Sequence, residues 1–340
     1  MHKSKSNLIP VHIITGFLGS GKTSLIKKLM KYKLIKNAAI IVNEFGEVGI
    51  DHHLVEAVDE NMVMLQSGCI CCTIREDLTT TLIDLWEKKS ENKIKFETVV
   101  IETTGLADPS PIIYSLMTYD KIKYHFSLGN IITIIDVING LNNLSKQQES
   151  IKQLAVADKV IISKTDISKT KLDILKNKIK LINPSAKILL SADKISPIKI
   201  FTNDLYNLNT KHQDVIAWIN DEALKNNEKH VHNRNRHNES IYSFCLYFNE
   251  SLDWTVFGIW LTMLLNKYGQ LILRIKGLLN VKDVKGPVAI HGVQHMIYPP
   301  VHLGSWPDND KRSKIVFIVD SMDKEKIQKS LKIFNSIKTI

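Results

Sequence analysis

Residues 16–23, with the sequence GFLGSGKT, have the spacing of a phosphate-binding loop. The glycines let the backbone wrap so that N–H groups point at phosphate oxygens, and a following helix adds the positive end of its dipole. Lys22 would bring a positive charge to the β- and γ-phosphate oxygens, and Thr23 would offer a hydroxyl ligand to Mg²⁺. The predicted nucleotide-binding residues of this loop are Gly16, Gly19, Ser20, Gly21, Lys22, Thr23 and Ser24.

An acidic residue ends a later apolar run, in the sequence IETTG at 101–105. Glu102 can approach Mg²⁺ through water, and the N–H of Gly105 can meet a γ-phosphate. We therefore predict Lys22, Thr23, Glu102 and Gly105 as the residues that carry nucleotide hydrolysis.

The sequence SKTD at 163–166 follows the apolar run DKVII and indicates which base is bound. The Asp166 carboxylate can accept two hydrogen bonds from guanine, whereas adenine would leave this charge unpaired at a cost of ~1–3 kcal/mol. Lys164 would pack its stem across the base. Such a motif usually begins with Asn, and Ser163 removes one amide that braces the loop. The pattern favours GTP over ATP.

A different chemistry is indicated by Cys69, Cys71 and Cys72, which form a CxCC motif before a predicted helix. A helix N-terminus favours the thiolate, the form that binds metal. Three thiolates favour Zn²⁺ or Cu⁺ over Mg²⁺ and leave a fourth position that can be exchanged, which suits metal transfer. A thiol redox switch and burial as small apolar residues stay open as alternatives.

The elements that must position these residues alternate between strands and helices. Apolar runs predict strands at 8–15, 38–43, 97–101, 130–136, 158–163 and 186–190. Helical patterns lie between most of them, at 21–31, 74–88, 109–117 and 171–182. Near-continuous Val/Ile strands that alternate with helices are typical of a parallel sheet covered on both faces, so the fold class is α/β.

The second part of the chain has a different pattern. Residues 220–240 are polar and predict a linker, in which His230, His232 and His237 leave weak metal capture open. Strands near 241–248, 270–281, 287–292 and 314–319, with helices at 253–265 and 323–335, predict a small α+β domain. The expected domains are 1–219 and 241–340.

Composition limits the partners of this 340-residue chain. Its net charge is +10, but the basic residues are almost all scattered lysines without the arginine and aromatic clusters of nucleic-acid sites, so we expect no nucleic-acid partner. No apolar stretch reaches the ~20 residues of a membrane span, and we expect a cytoplasmic protein without a signal peptide. Four cysteines, three of them nearly adjacent, do not indicate a disulfide scaffold.

Taken together, these motifs resemble those of CobW-type GTPases, in the class of P-loop metallochaperones that includes the urease and hydrogenase accessory GTPases. The resemblance covers essentially the whole chain. It rests on GFLGSGKTSL (16–25), VNEFGEVGID (42–51), GCICCTIREDL (68–78), IETTGLADP (101–109), SKTD (163–166), RIKG (274–277), HGVQ (291–294) and RSKIVFI (312–318).

The resemblance implies a P-loop GTPase domain with a mostly parallel sheet, followed by a smaller C-terminal α+β domain. It makes residues 43–47 a switch segment, in which Glu44 and Glu47 are candidates for sensing Mg²⁺, the γ-phosphate or the transported metal. Gln153 and Asp158 would be structural supports near the base-binding strand. Zinc is the expected cargo, with cobalt or iron for corrin or nitrile hydratase maturation as alternatives. A nucleotide-dependent homodimer is the candidate assembly.

Three functions compete at this point. The first is a GTPase whose cycle drives metal transfer to a client metalloprotein. The second is a metal buffer or sensor without a dedicated client, in which GTP only modulates affinity. The third is a redox-controlled GTPase in which two of the cysteines form a disulfide.

Overall fold

A computed structural model of the chain describes residues 8–32, 37–44, 62–66, 72–168, 170–192, 196–201, 240–306 and 309–336. Side chains are described at all of these except 43–44, 62–66, 72–77 and 198. The chain forms two compact units, one built around a seven-stranded sheet and the other around a six-stranded sheet. None of the described helices is long and apolar enough to span a bilayer.

Strands and helices alternate through the first 201 residues. The strands are β1 (Ile9–Thr15), β2 (Ala38–Glu44), β3 (Met62–Gln66), β4 (Thr98–Glu102), β5 (Phe126–Asp136), β6 (Lys159–Ser163) and β7 (Lys187–Leu190). The helices are α1 (Lys22–Leu29), α2 (Cys72–Ser90), α3 (Ser110–Thr118), α4 (Asp120–Lys123), α5 (Gly140–Lys146), α6 (Gln148–Ala155), α7 (Leu172–Ile182) and α8 (Pro197–Phe201).

The strand order of the seven-stranded sheet is β3-β2-β4-β1-β5-β6-β7, and each pairing from β3 to β6 is parallel. The central strands are apolar and buried almost throughout, as expected for strands covered on both faces. Ile14 pairs with Glu102, and Asp136 pairs with Ser163. These strand ends, which carry the predicted motifs, therefore meet at one edge of the sheet.

His12 is a buried polar residue inside β1, with 1% of its surface exposed. Its Nδ1 accepts a hydrogen bond from the Asn130 N–H at 2.9 Å, and its ring packs against Phe201. The pKa of His12 is lowered from its ordinary value of 6.5 to about 3. Burial is the main cause, the nearby Lys159 charge acts in the same direction, and Asp158 opposes the shift. The neutral imidazole is thus part of the folded core.

The second unit is an antiparallel sheet packed against helices. Its elements are β8 (Ile241–Phe248), α9 (Trp254–Tyr268), β9 (Ile272–Leu279), β10 (Val288–Val293), β11 (Met296–Ile297), β12 (Val301–His302), β13 (Ser313–Asp320) and α10 (Lys324–Asn335). The strand order is β11-β10-β9-β13-β8, and β12 pairs with β10. A core that includes Phe257, Trp260 and Phe317 lies between the sheet and the helices, and Cys245 is buried as the sequence indicated.

The predicted fold class, a mostly parallel α/β domain followed by a smaller α+β domain, is confirmed. Of the elements described, the sequence missed β3, the four short helices α4, α5, α6 and α8, and the two-residue strands of the second unit. These segments are short, and contacts with the rest of the fold stabilise them more than their own periodicity does. The predicted linker, 220–240, lies outside the described residues except for Ser240.

Candidate nucleotide-binding site

The loop between β1 and α1 contains glycines at positions where the backbone conformation or the lack of room for a Cβ disfavours other residues. Gly16 has φ +144°, and a Cβ there would lie 2.3 Å from the carbonyl oxygen of Ile134. Gly21 has φ +98° and caps the N-terminus of α1 in a left-handed conformation. The Lys22 ammonium lies over this loop, where it donates to the carbonyl oxygens of Gly16 at 2.9 Å and Phe17 at 3.4 Å. A cationic group and a helix N-terminus are thus directed at one loop, which suits a bound phosphate.

Thr23 and Glu102 come from different elements and meet at the edge of the sheet. The Thr23 hydroxyl donates to Glu102 Oε1 at 2.7 Å, although the two residues are 79 positions apart in the chain. Glu102 is buried with 4% of its surface exposed. A hydroxyl and a carboxylate at this distance are hard oxygen ligands, and Mg²⁺ prefers such ligands. The residues present therefore fit a magnesium ion next to the phosphate loop.

The segment after β4 lies directly against the phosphate loop. A Cβ at Gly105 would be 2.7 Å from Leu18 N and 2.8 Å from Leu18 Cα, so only glycine fits without displacement. Thr103 fixes the start of the segment, because its N–H donates to Ile14 O at 3.0 Å and its hydroxyl to Thr15 Oγ1 at 2.8 Å. The approach of Gly105 to Leu18 brings the predicted γ-phosphate residue next to the predicted phosphate loop.

Ser163 connects the base motif to the phosphate loop. Its hydroxyl donates to Ser20 O at 2.6 Å, across 143 positions of sequence. The sequence led us to expect weaker bracing because the usual asparagine is missing at this position. The structure shows that the serine hydroxyl braces the loop instead, since the end of β6 comes close enough for the shorter side chain to reach.

Lys164 and Asp166 lie at a cavity of about 570 Å³ that begins at the phosphate loop. Lys164 has a left-handed backbone, with φ +58°, and its ammonium lies 3.8 Å from the buried carboxylate of Asp136. Asp166 is exposed at the cavity. The cavity is lined by Gly21, Ser24, Leu25, Lys28, Leu29, Lys31, Tyr32, Ile134, Ile161, Ser163, Lys164, Asp166, Ile167, Ser191 and Ala192.

Sequence reasoning missed Ser191, Ala192 and Asp136. Ser191 and Ala192 follow β7 and line the cavity, and the Ala192 N–H donates to the Thr165 hydroxyl at 3.2 Å. Asp136 ends β5 and accepts from the N–H groups of the next turn as well as facing Lys164. Asp136 ends a predicted strand, and this position was a usable signal, because the carboxyl ends of parallel strands form the binding edge of α/β sheets. Ser191 and Ala192 are small residues and carried no such signal.

The predicted metal ligands fall mostly outside the described residues. Cys69, Cys71 and Glu47 lie in undescribed stretches, and the side chains of Cys72 and Glu44 are not described. Cys72 is the first residue of α2 and Glu44 the last of β2. Among the described residues, no group of three or more His, Cys, Asp or Glu side chains could hold a metal ion. The ligand predictions therefore stay predictions.

Two family models match the chain. Residues 10–190 match the model described as CobW/HypB/UreG, nucleotide-binding domain, and residues 241–334 match the cobalamin synthesis protein cobW C-terminal domain. Together they cover both sheets of the structure.

Similar proteins are known over nearly the same length. The zinc chaperone YjiA of Escherichia coli (strain K12) is 27% identical over 322 residues, which cover 95% of this chain and 97% of that protein. The zinc-regulated GTPase metalloprotein activator 1 of Schizosaccharomyces pombe is 32% identical over 313 residues, covering 83% of this chain and 74% of that protein. The solved structure of Zn(II)-bound YjiA GTPase from E. coli matches with a TM-score of 0.70 at 22% identity, over 96% of this chain and 99% of that one.

A parallel sheet with a GKT loop after its first strand and a base motif after its sixth defines a P-loop GTPase, and the predicted enzyme class is confirmed by these matches. The fold and the cavity supply what such an enzyme needs, which is a cradle for phosphates beside a space for a base. The chain belongs to the CobW/HypB/UreG family, as its motifs indicated.

Proposed function

We propose that this protein is a metallochaperone that binds Zn²⁺ at Cys69, Cys71 and Cys72 and uses GTP hydrolysis to control transfer of the ion to a client metalloprotein. Support comes from its relatives, two of which are described as a zinc chaperone and a zinc-regulated GTPase metalloprotein activator. The soft ligand set of the CxCC motif agrees with zinc as cargo.

The observation that carries the proposal is the position in the sheet of the two described residues next to the cysteine motif and at its end, Gln66 and Cys72. Gln66 ends β3 three residues before Cys69, and Cys72, the last cysteine of the motif, begins α2. In a parallel sheet, the carboxyl ends of strands and the starts of the following helices share one edge. The phosphate loop follows β1 at the same edge of the same sheet. A metal at the cysteines and a nucleotide at the loop would therefore be held by one rigid sheet.

In this proposal the phosphate loop binds the triphosphate, with Lys22 on the β- and γ-phosphates. Thr23 would hold Mg²⁺ with help from Glu102, and the ion when bound would neutralise charge on the phosphate oxygens. Asp166 would select guanine, and Lys164 would cover the base. Glu44 and Glu47 are proposed to sense the ion or the γ-phosphate, and hydrolysis would release the metal by removing the contacts of the γ-phosphate.

Replacement Cys71→Ala tests the metal site. We expect zinc affinity to fall by more than the roughly 10- to 100-fold that loss of a supporting hydrogen bond to a ligand costs, because a direct ligand is removed. Zinc is titrated in competition with a chromogenic chelator, with protein purified anaerobically. Cys245→Ala is the matched control, since Cys245 is a buried thiol on β8 of the second unit. Unchanged zinc stoichiometry in Cys71→Ala would contradict the ligand assignment.

The coupling between metal and nucleotide needs a separate measurement. Zinc affinity is compared in the presence of GDP and of a non-hydrolysable GTP analogue, and we expect the two affinities to differ. Identical affinities, together with GTP turnover that zinc does not change, would contradict the proposed transfer cycle. Cobalt and iron are titrated in the same way, and tighter binding of either would change the assigned cargo.

A further inference from the structure

Gln153 holds the segment that follows β4, although sequence reasoning gave it only a supporting place near the base strand. It lies on α6 with none of its surface exposed. Its Nε2 donates hydrogen bonds to the carbonyl oxygens of Gly105 at 3.2 Å and Ala107 at 3.0 Å. Within the described part of the chain, no other side chain donates to the backbone of residues 105–107. Thr103 anchors the start of this segment, and the Gln153 amide holds the part that follows it.

The backbone of Gln153 is itself fixed to a strand of the nucleotide site. The Thr133 hydroxyl donates to Gln153 O at 2.7 Å, in a buried contact between β5 and α6. The next residue on β5, Ile134, is the one whose carbonyl lies closest to Gly16 of the phosphate loop. One strand thus supports both the loop and the residue that holds the segment beside it. Because β5 holds the Gln153 backbone in place, the Gln153 side chain can hold the segment after β4 at a fixed position.

Of the polar groups on Gly105, only the N–H is without a hydrogen bond among the described residues. Its carbonyl is bound by Gln153, and a Cβ on it would meet the backbone of Leu18 at 2.7 Å. Its N–H makes no hydrogen bond to any described residue, although Gly105 is buried. Buried N–H groups are almost always paired, so this donor is suited to a ligand atom. The Gly105 N–H lies in the peptide plane before Gly105, whereas Gln153 holds the carbonyl after it. Thr103 fixes the chain on the other side, so the peptide that carries this N–H is held between two anchored points.

The unpaired, buried oxygen of the Gln153 side chain destabilises the fold, which indicates that this residue does more than fill space. Gln153 Oε1 is buried and makes no hydrogen bond to any described residue. A methionine or leucine would fill a similar volume without leaving a polar atom unpaired. The two hydrogen bonds from Nε2 are what an apolar residue could not provide.

We propose that Gln153 is a positioning residue for GTP hydrolysis, which keeps the Gly105 N–H directed at the γ-phosphate by holding the carbonyls of Gly105 and Ala107. This inference rests on the proposed placement of the γ-phosphate beside Gly105. GDP lacks that phosphate, so its binding does not use the contact. Gln153 therefore contributes to the preference for GTP over GDP and to turnover, and not to the recognition of guanine.

Replacement Gln153→Met tests this role in the full-length chain, because methionine keeps the volume and removes both donors. We measure kcat and KM for GTP with Mg²⁺, and the affinities for GDP and a non-hydrolysable GTP analogue. We expect kcat to fall at least tenfold and the affinity for the analogue to fall relative to that for GDP, while GDP affinity stays within twofold. Gln148→Met, at an exposed position of the same helix, is the control and should leave all four values unchanged.

An unchanged kcat, or an equal fall in the affinities for GDP and the analogue, would overturn the inference, since both indicate a purely structural residue. If Gln153→Met does not bind GDP, Gln153→Glu is used instead. Its ionised carboxylate would repel the two carbonyls, whereas its protonated form donates one hydrogen bond, so we expect hydrolysis to recover as the pH is lowered. A pH profile that is parallel to that of the unmodified protein would overturn the inference.

The γ-phosphate placement is tested separately by Gly105→Ala. If that replacement also leaves the ratio of analogue to GDP affinity unchanged, the placement is wrong and the role of Gln153 is wrong with it. If Gly105→Ala changes the ratio and Gln153→Met does not, only the role of Gln153 is wrong.

Discussion

The replacement Gly105→Ala tests whether the segment after β4 must lie against the phosphate loop for hydrolysis. A Cβ at this position would be 2.7 Å from Leu18 N and 2.8 Å from Leu18 Cα. Both are backbone atoms, so no side-chain rotation can make room for the methyl group. Ordinary contacts begin at 3.4 Å, and the step from 2.7 to 3.4 Å requires the two segments to separate by 0.7 Å.

The size of the effect follows from how closely reacting groups must be held. A misplacement of about 1 Å can reduce turnover about 100-fold. A separation of 0.7 Å should therefore reduce kcat by about 10- to 100-fold, which corresponds to about 1.4–2.7 kcal/mol in the activation free energy. We expect GDP affinity to change much less, because the γ-phosphate is absent and the glycine loop itself is unmodified.

Single-turnover hydrolysis of GTP, followed by phosphate release, measures the effect, and GDP titration shows that the variant is folded. Gly304→Ala is the matched control, since a Cβ at Gly304 would meet no atom within 4 Å. A Gly105→Ala variant that hydrolyses GTP within twofold of the parent rate would refute the reasoning, because it would show that this close approach is not needed for the reaction.

Two further predictions concern Ser163 and His12. Ser163→Ala should lower the affinities for GTP and for GDP equally, by about fivefold or about 1 kcal/mol, because the phosphate loop loses the hydrogen bond from Ser163 to Ser20 O. Calorimetric titration measures both affinities, and unchanged values would contradict the prediction. The folded pKa of His12, about 3, lies below the unfolded value of 6.5, so its contribution to stability is complete above pH 6.5 and is lost as pH falls towards 3. In urea unfolding, stability should therefore fall more steeply with decreasing pH in the parent protein than in His12→Asn, by about 1.4 kcal/mol per pH unit within that window. Equal slopes in both proteins would contradict this.

Long apolar strands were predictable because their pattern is local. Residues of β1, β5 and β6 are buried on both faces, and continuous runs of Val and Ile indicate that state directly. The short helix α6 was not predictable in the same way, since eight residues of mixed polarity do not form a stable helix alone. Its position depends on neighbours such as β5, to which Thr133 ties it.

In the candidate site, too, the residues indicated by local sequence patterns were predictable and those brought together by the fold were not. Gly16, Gly21, Lys22 and Thr23 are adjacent in sequence, so their spacing alone indicated phosphate chemistry and the GTPase class. The placement of Ser191 and Ala192 at the cavity could not be read from their residue types, because small residues after a strand are common in any protein. They became candidates only when β7 was found in the same sheet as the base motif.

By itself the sequence determined the family, the two-part fold class and the loop that suits a phosphate, because each depends on residue types at short, regular spacing. The tertiary structure alone decided that Ser163 braces Ser20 across 143 positions and that Gln153 holds Gly105 across 48. Such contacts join residues whose separation in the chain carries no signal. They form only when the parallel sheet and the helices that cover it are assembled.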